Sequence, residues 1–192
     1  MAAMLMVVLA VSSQLVLPQG ATHVTSDSAG TFGTNLDDNG DGKEAVITGG
    51  GTGTFNADLD GDEDVDGSYF WTEVAISKDG SAQGHFMCLM AGPFDFLDLP
   101  LMLVEGPVDS GEVNRDKSIV FSGVGNVNLG NGESFSKVPF EVTVKAGGPE
   151  VGSITLTVFG VFDGVPGDTK VGNSNYDLPA EMVSSGRIKV RR

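Results

Sequence analysis

Acidic side chains at alternate positions mark one stretch of the sequence, residues 59–73. From Asp62 onward, acids stand at the first, third and fifth positions and a glycine at the sixth; the residues are Asp62, Asp64, Asp66 and Gly67. Ca²⁺ takes six to eight oxygen ligands, and alternate carboxylates on a tight loop can converge on one ion. Because crowded like charges repel one another unless water or a cation compensates them, this stretch predicts a Ca²⁺-binding hairpin loop.

Two versions of a twelve-position Ca²⁺ loop can be aligned with the sequence. The first begins at Asp62, has acids at positions 1, 3 and 5, and ends at Glu73, whose carboxylate could supply two oxygens. The second has oxygen-bearing side chains at the same three starting positions but a threonine at position 12; these residues are Asp37, Asn39, Asp41 and Thr48. The second loop lacks a closing ligand, and a solvated acidic linker explains it equally well.

The net charge of the chain is −15, with a pI near 4.2, and most of it lies near these two stretches. Residues 27–66 contain eleven acids and one base, and so carry −10 of the total. A surface of this sign repels nucleic-acid phosphates and anionic lipid headgroups. We therefore expect neither as a partner, whereas a divalent cation, or a protein or glycan at the cell surface, is compatible with the charge.

The first 17 residues of the chain are mostly apolar. Their uninterrupted apolar run of about eleven residues is too short for a membrane span, which needs roughly 20, but it resembles the apolar core of a secretory signal peptide. We predict a signal peptide at 1–21 and a protein that is secreted or held at the cell surface or in the periplasm. An acidic, glycine-rich segment at 22–44 then precedes a single domain at 45–192, which is long enough to form a hydrophobic core.

Apolar residues alternate with polar ones through most of the predicted domain, which is typical of β-strands. The clearest case is a hairpin over 68–91 with its turn at 78–81, and Asn131-Gly132 predicts a second hairpin. The 28 glycines indicate many turns and bulges and argue against long helices. The sequence therefore predicts an all-β fold of about nine or ten antiparallel strands, arranged as a β-barrel or a β-sandwich.

The glycine run Gly49-Gly50-Gly51 is compatible with two geometries for residues 45–57. A turn at the run would bring both acidic loops to one end of the fold, where they could share ligands. A straight strand containing glycine bulges would separate the loops by roughly 40 Å, at about 3.3 Å per residue. We favour the straight strand, which makes the two loops independent.

Few residues in the sequence have the chemistry that catalysis needs. Two histidines, His23 and His85, and one cysteine, Cys88, are too few for a zinc site. His85 and Cys88 fall on opposite faces of the predicted hairpin strand, which argues against a Cys–His dyad, and a lone cysteine among apolar residues is typical of a buried small side chain.

The sequence as a whole favours a non-catalytic, Ca²⁺-stabilised structural or binding module. The alternatives are a hydrolase with paired carboxylates and a small barrel that binds an apolar ligand beneath residues 93–104.

Both acidic loops resemble those of Ca²⁺-binding proteins built on an Asp-x-Asp-x-Asp-Gly pattern, and their predicted strand flanks are similar to secreted β-proteins rather than to EF-hands. In the loop that begins at Asp62, the resemblance implies ligands from the side chains of Asp62, Asp64, Asp66 and Glu73 and from the Ser68 carbonyl, with Asp58 and Asp60 as alternatives. In the loop that begins at Asp37, it implies ligands from the side chains of Asp37, Asn39 and Asp41 and from the Lys43 carbonyl. The run Gly49-Gly50-Gly51-Thr52 and residues 79–86 look like parts of small exported bacterial β-domains without an assigned function, a likeness that implies fold and export only.

Overall fold

A computed structural model describes residues 43–55, 67–96, 99–130, 132–165 and 167–192. The predicted signal peptide at 1–21 lies outside these ranges, as does the acidic segment up to residue 42. The connection 56–66 also lies outside them. Of the candidate side-chain ligands for Ca²⁺, the described ranges contain Glu73 alone; Lys43 and Ser68, the candidates for carbonyl ligands, are also described. The predictions for the other side chains stand as predictions; these are Asp37, Asn39, Asp41, Asp58, Asp60, Asp62, Asp64 and Asp66.

Nine β-strands make up most of the described chain, and all their pairings are antiparallel. No helix occurs within the described ranges, so the predicted all-β class is confirmed. The strands are β1 (Lys43–Thr54), β2 (Gly67–Ser77), β3 (Ser81–Phe96), β4 (Leu99–Val113), β5 (Ile119–Leu129), β6 (Ser134–Lys145), β7 (Ser153–Phe159), β8 (Asn175–Asp177) and β9 (Glu181–Arg191).

The strands form one sheet that closes on itself. Strands β1 to β7 pair in sequence order, and β9 pairs with both β7 and β1, so that eight strands complete a ring. The short β8 pairs with the end of β7. Closing the ring pairs the edges that an open sheet would expose, and it decides between the two predicted architectures in favour of the barrel.

Alternate side chains of the long strands are buried and fill the inside of the barrel. In its middle, the Phe86 ring contacts the rings of Phe121 and Phe140, at centroid distances of 5.8 and 5.7 Å. Each such side chain contributes about 1.5–3 kcal/mol when it is fully buried. Residues 93–96 and 99–104 belong to β3 and β4 and extend their hairpin.

β1 runs straight through the glycine run, as predicted. Its two ends are about 36 Å apart at 3.3 Å per residue, so the acidic stretches before and after β1 are attached at opposite ends of the barrel wall. The predicted hairpin over 68–91 is also confirmed, because β2 and β3 are joined by a turn in which Gly80 has a φ of 85°. β5 and β6 form the second predicted hairpin, where Gly132 has a φ of 90°.

Candidate functional site

The acidic connection 56–66 joins two strands whose ends are direct neighbours. Thr54 at the end of β1 pairs with Gly67 at the start of β2, so the predicted acidic loop is a connection between two paired strands. Glu73 lies six residues further along β2 and is exposed on the outer wall. This is about 20 Å from Gly67, and the connection would have to fold back along the wall to bring an ion to Glu73.

The described residues contain no group of three or more His, Cys, Asp or Glu side chains that could hold a metal ion. Three aspartates, Asp163, Asp168 and Asp177, occur around the long loop between β7 and β8, but their oxygens are used within the loop. These oxygens accept hydrogen bonds from the backbone N–H groups of Gly164, Lys170, Gly172, Ser174 and Asp177. They also accept hydrogen bonds from the side chains of Thr157, Lys170 and Asn173. These carboxylates hold the loop in shape.

A cleft of about 270 Å³ lies on the outer wall of the barrel, across β3 to β6; we call it the outer cleft. Its polar side chains are His85, Glu105, Asn126 and Lys137. Pro107 and Val124 supply an apolar side, and Gly106 and Gly125 form the floor. Alternation places these side chains outside the barrel, because the buried residues between them, such as Phe86 and Val104, face the interior.

Glycines explain why the barrel wall is depressed at the outer cleft. Gly106 on β4 and Gly125 on β5 lie so close together that a Cβ atom on Gly106 would be 2.5 Å from the Cα of Gly125. A Cβ atom on Gly123 would be 2.8 Å from the Phe140 ring inside the barrel. The β4–β5 and β5–β6 registers also shift beside these glycines, and such bulges bend strands. The close approach of the backbones therefore leaves a floor without side chains.

The polar side chains of the outer cleft are available to a ligand. Among the described residues, Glu105, Asn126 and Lys137 make no side-chain hydrogen bond or ion pair with one another or with a neighbour. His85 contacts the exposed ring of Trp71 on β2, with 6.1 Å between ring centroids. Trp71 is 41% exposed and is the single tryptophan of the chain. Donors, acceptors and an aromatic face thus meet on one stretch of wall.

A buried carboxylate lies inside the barrel, at the end where β1 meets β2. Glu181 is 3% exposed, and the Ser68 hydroxyl donates a 2.5 Å hydrogen bond to its Oε2. Gly53 makes room for this carboxylate, since a Cβ atom there would collide with it. Burial raises the pKa of Glu181 to about 7, and the hydrogen bond from Ser68 opposes the shift. Glu181 therefore titrates near neutral pH in the folded protein.

Cys88 is buried in the same interior, as the sequence predicts. Burial and, to a smaller degree, the charge of Glu181 raise the pKa of the Cys88 thiol, and a hydrogen bond with Ser68 lowers it. Thiolates are the reactive form of cysteine. We expect a thiol-specific reagent to leave the native protein unmodified and to modify one thiol after unfolding in denaturant, measured by absorbance or mass; rapid modification of the native protein would contradict this burial.

Comparisons with known proteins identify no relative: no family model matches the chain, and neither a curated protein nor a solved structure matches it. The described part of the chain has no helix of the length and apolar character that crossing a lipid bilayer would require.

Sequence reasoning missed Glu181 and the outer cleft. Nothing in the sequence around His85 points to Glu105 or Lys137, which come from other strands. The one available signal was Trp71, because a tryptophan at the polar-facing positions of an alternating strand is expected to be exposed. Only the strand order brings these residues together.

Proposed function

We propose that the protein is a secreted, non-catalytic β-barrel module whose β1–β2 connection binds Ca²⁺ and whose outer wall binds a partner. The observation that carries the metal part is the pairing of Thr54 with Gly67. This pairing holds the two ends of the connection together, so we expect its acids, which include Asp62, Asp64 and Asp66, to be confined to a short loop. Confined carboxylates repel one another, and a divalent ion offsets that repulsion while supplying an oxygen-binding centre.

The positions of the two reactive side chains support a binding role over a catalytic one. His85 lies on the outer wall, whereas Cys88 is buried inside the barrel, so the two cannot form the hydrogen-bonded pair that a thiol nucleophile requires. Glu181 is enclosed with Ser68 as its hydrogen-bond partner. A group that acts as a general acid or base has to reach a substrate proton, and burial keeps Glu181 away from one.

Calcium is expected to raise the melting temperature of the protein. An ion that binds only the folded state adds about 2.7 kcal/mol at a free concentration of 100 times Kd, which corresponds to roughly 5–10 °C for a protein of this size. The measurement is a thermal melt in millimolar Ca²⁺ and in EDTA, at matched ionic strength so that general salt effects cancel.

Matched double variants locate the ion. Asp64→Asn with Asp66→Asn should abolish the difference between Ca²⁺ and EDTA. Asp109→Asn with Glu112→Gln, two exposed acids on β4, removes the same number of charges and should preserve it. Equal melting temperatures of the unmodified protein in Ca²⁺ and EDTA would refute the metal part of the proposal.

A further inference from the structure

We infer that the outer cleft binds a short neutral saccharide, with Trp71 beside it as a stacking surface. This inference rests on the proposed role of the protein as a binding module and names the class of its ligand. Three properties of the cleft support it: its unused hydrogen-bonding groups, its balanced charge, and the apolar surfaces next to them.

The hydrogen-bonding groups of the cleft match a ligand rich in hydroxyl groups. Glu105 offers acceptors, Lys137 offers donors, and the Asn126 amide offers both. None of these three side chains is engaged with another described residue. A sugar hydroxyl donates one hydrogen bond and accepts others, so a single ring can engage an acceptor, an amide and an ammonium group together. A purely apolar ligand would leave all three unpaired, at a cost in free energy.

The formal charges of the cleft oppose each other, because Glu105 is the acid and Lys137 the base. A net-charged ligand therefore gains little from the cleft as a whole. The chain carries −15 overall, and this field repels anionic polymers such as nucleic acids and acidic polysaccharides. Among hydroxyl-rich ligands, the charge distribution favours an uncharged saccharide.

The size and the apolar surfaces of the cleft set the length of the ligand. A volume of 270 Å³ lies below the roughly 300–1,000 Å³ of sites for drug-sized ligands, and suits about one sugar ring. Val124, which is 42% exposed, and Pro107 offer apolar contacts. Trp71 lies two strands from Glu105, at about 10 Å, with Met87 of β3 paired between them, and the Trp71 ring contacts His85. A second ring that extends from the cleft would reach the indole, whose face can cover the apolar side of a pyranose.

The test uses Trp71 as the reporter, since it is the single tryptophan of the chain. The full-length protein is titrated with cellobiose, lactose, mannobiose, xylobiose and diacetylchitobiose, in Ca²⁺ and in EDTA. We expect a saturable change in tryptophan emission with at least one disaccharide and a matching heat of binding by calorimetry. Chondroitin sulfate disaccharide, a charged probe, should bind at least tenfold more weakly.

Matched variants connect the binding to the cleft. Glu105→Gln and Asn126→Ala should each weaken the calorimetric affinity about tenfold, through the loss of one hydrogen-bonding group. Glu112→Gln, the same chemical change at an exposed position elsewhere on β4, should leave it within a factor of two. Trp71→Ala, read by calorimetry, should lower the affinity for disaccharides about tenfold and that for the parent monosaccharide by less, because only the second ring reaches the indole.

Any one of three results would overturn the inference, provided that each protein tested unfolds cooperatively and is therefore folded. These are no saturable binding of any neutral disaccharide, equal losses in Glu105→Gln and Glu112→Gln, or tighter and salt-dependent binding of the charged probe. Binding that persists in EDTA supports the cleft even if Ca²⁺ has no effect on the melt, because the cleft lies in the wall across β3 to β6 and not in the β1–β2 connection. The experiments can therefore refute Ca²⁺ binding and saccharide binding independently of each other.

Discussion

Replacing Glu181 by glutamine is expected to stabilise the protein by about 3 kcal/mol at pH 8 and to leave its stability unchanged at pH 4. Burial raises the pKa of Glu181 from 4.5 to about 7. Below about pH 4.5 the carboxyl is protonated in both the folded and the unfolded chain. Between pH 4.5 and 7 the unfolded chain loses the proton while the folded chain keeps it, so stability falls as the pH rises. Glutamine keeps an acceptor for Ser68 and carries no charge to bury.

Denaturant unfolding at pH 5, 6, 7 and 8 measures this effect. The unmodified protein should lose stability across that range, and Glu181→Gln should flatten the curve. Carboxylates such as Asp79 and Asp116 contribute in the opposite direction, because hydrogen bonds from the hydroxyls of Ser81 and Ser118 lower their pKa values. Their contribution is lost only as the pH falls below about 4, outside the measured range.

The exposed Glu112→Gln should shift the free energy of unfolding by less than about 0.5 kcal/mol at any of these pH values. A pH dependence that is the same in Glu181→Gln as in the unmodified protein would show that Glu181 is not the titrating group.

Gly186→Ala is expected to destabilise the protein by about 4 kcal/mol, one of the largest effects for a single methyl group. Gly186 on β9 pairs with Gly51 on β1, where the last strand closes the barrel against the first. Its φ is 78°, a conformation that costs about 1–2 kcal/mol with any side chain. A Cβ atom would also collide with the carbonyl oxygen of Gly50 and lie 2.7 Å from the Cα of Gly51. Relieving this collision requires the two strands to separate.

Gly160→Ala separates the two causes. Gly160 has a φ of 75°, and a Cβ atom there would meet no other atom within 4 Å, so we expect a loss of about 1 kcal/mol from backbone strain alone. Chemical denaturation of both variants gives the comparison. Equal losses would mean that the β1–β9 contact tolerates a methyl group and that the close approach of the strands is not needed for closure.

Much of the fold follows from local patterns in the sequence. The hairpin of β2 and β3 was predictable because its apolar residues alternate and Gly80 favours the turn. The short strand β8 and the burial of Glu181 could not be predicted, because both depend on residues that are distant in the sequence. Tyr176 and Asp177 adopt a strand by pairing with β7, which is some twenty residues away. Glu181 is buried because Ser68, far away in the sequence, supplies its hydrogen bond and Gly53 supplies its space.

The sequence by itself determined the all-β class, the burial of Cys88 and the concentration of acids between Phe55 and Gly67, and it favoured a straight course of β1 through its glycines without excluding a turn. These depend on alternation, turn residues and charge, which act over a few neighbouring positions. The tertiary structure alone decided that the strands close into a ring, that the interior is filled, and that His85, Glu105, Asn126 and Lys137 share one cleft. Those outcomes depend on which strands become neighbours, a choice made by long-range pairing and packing.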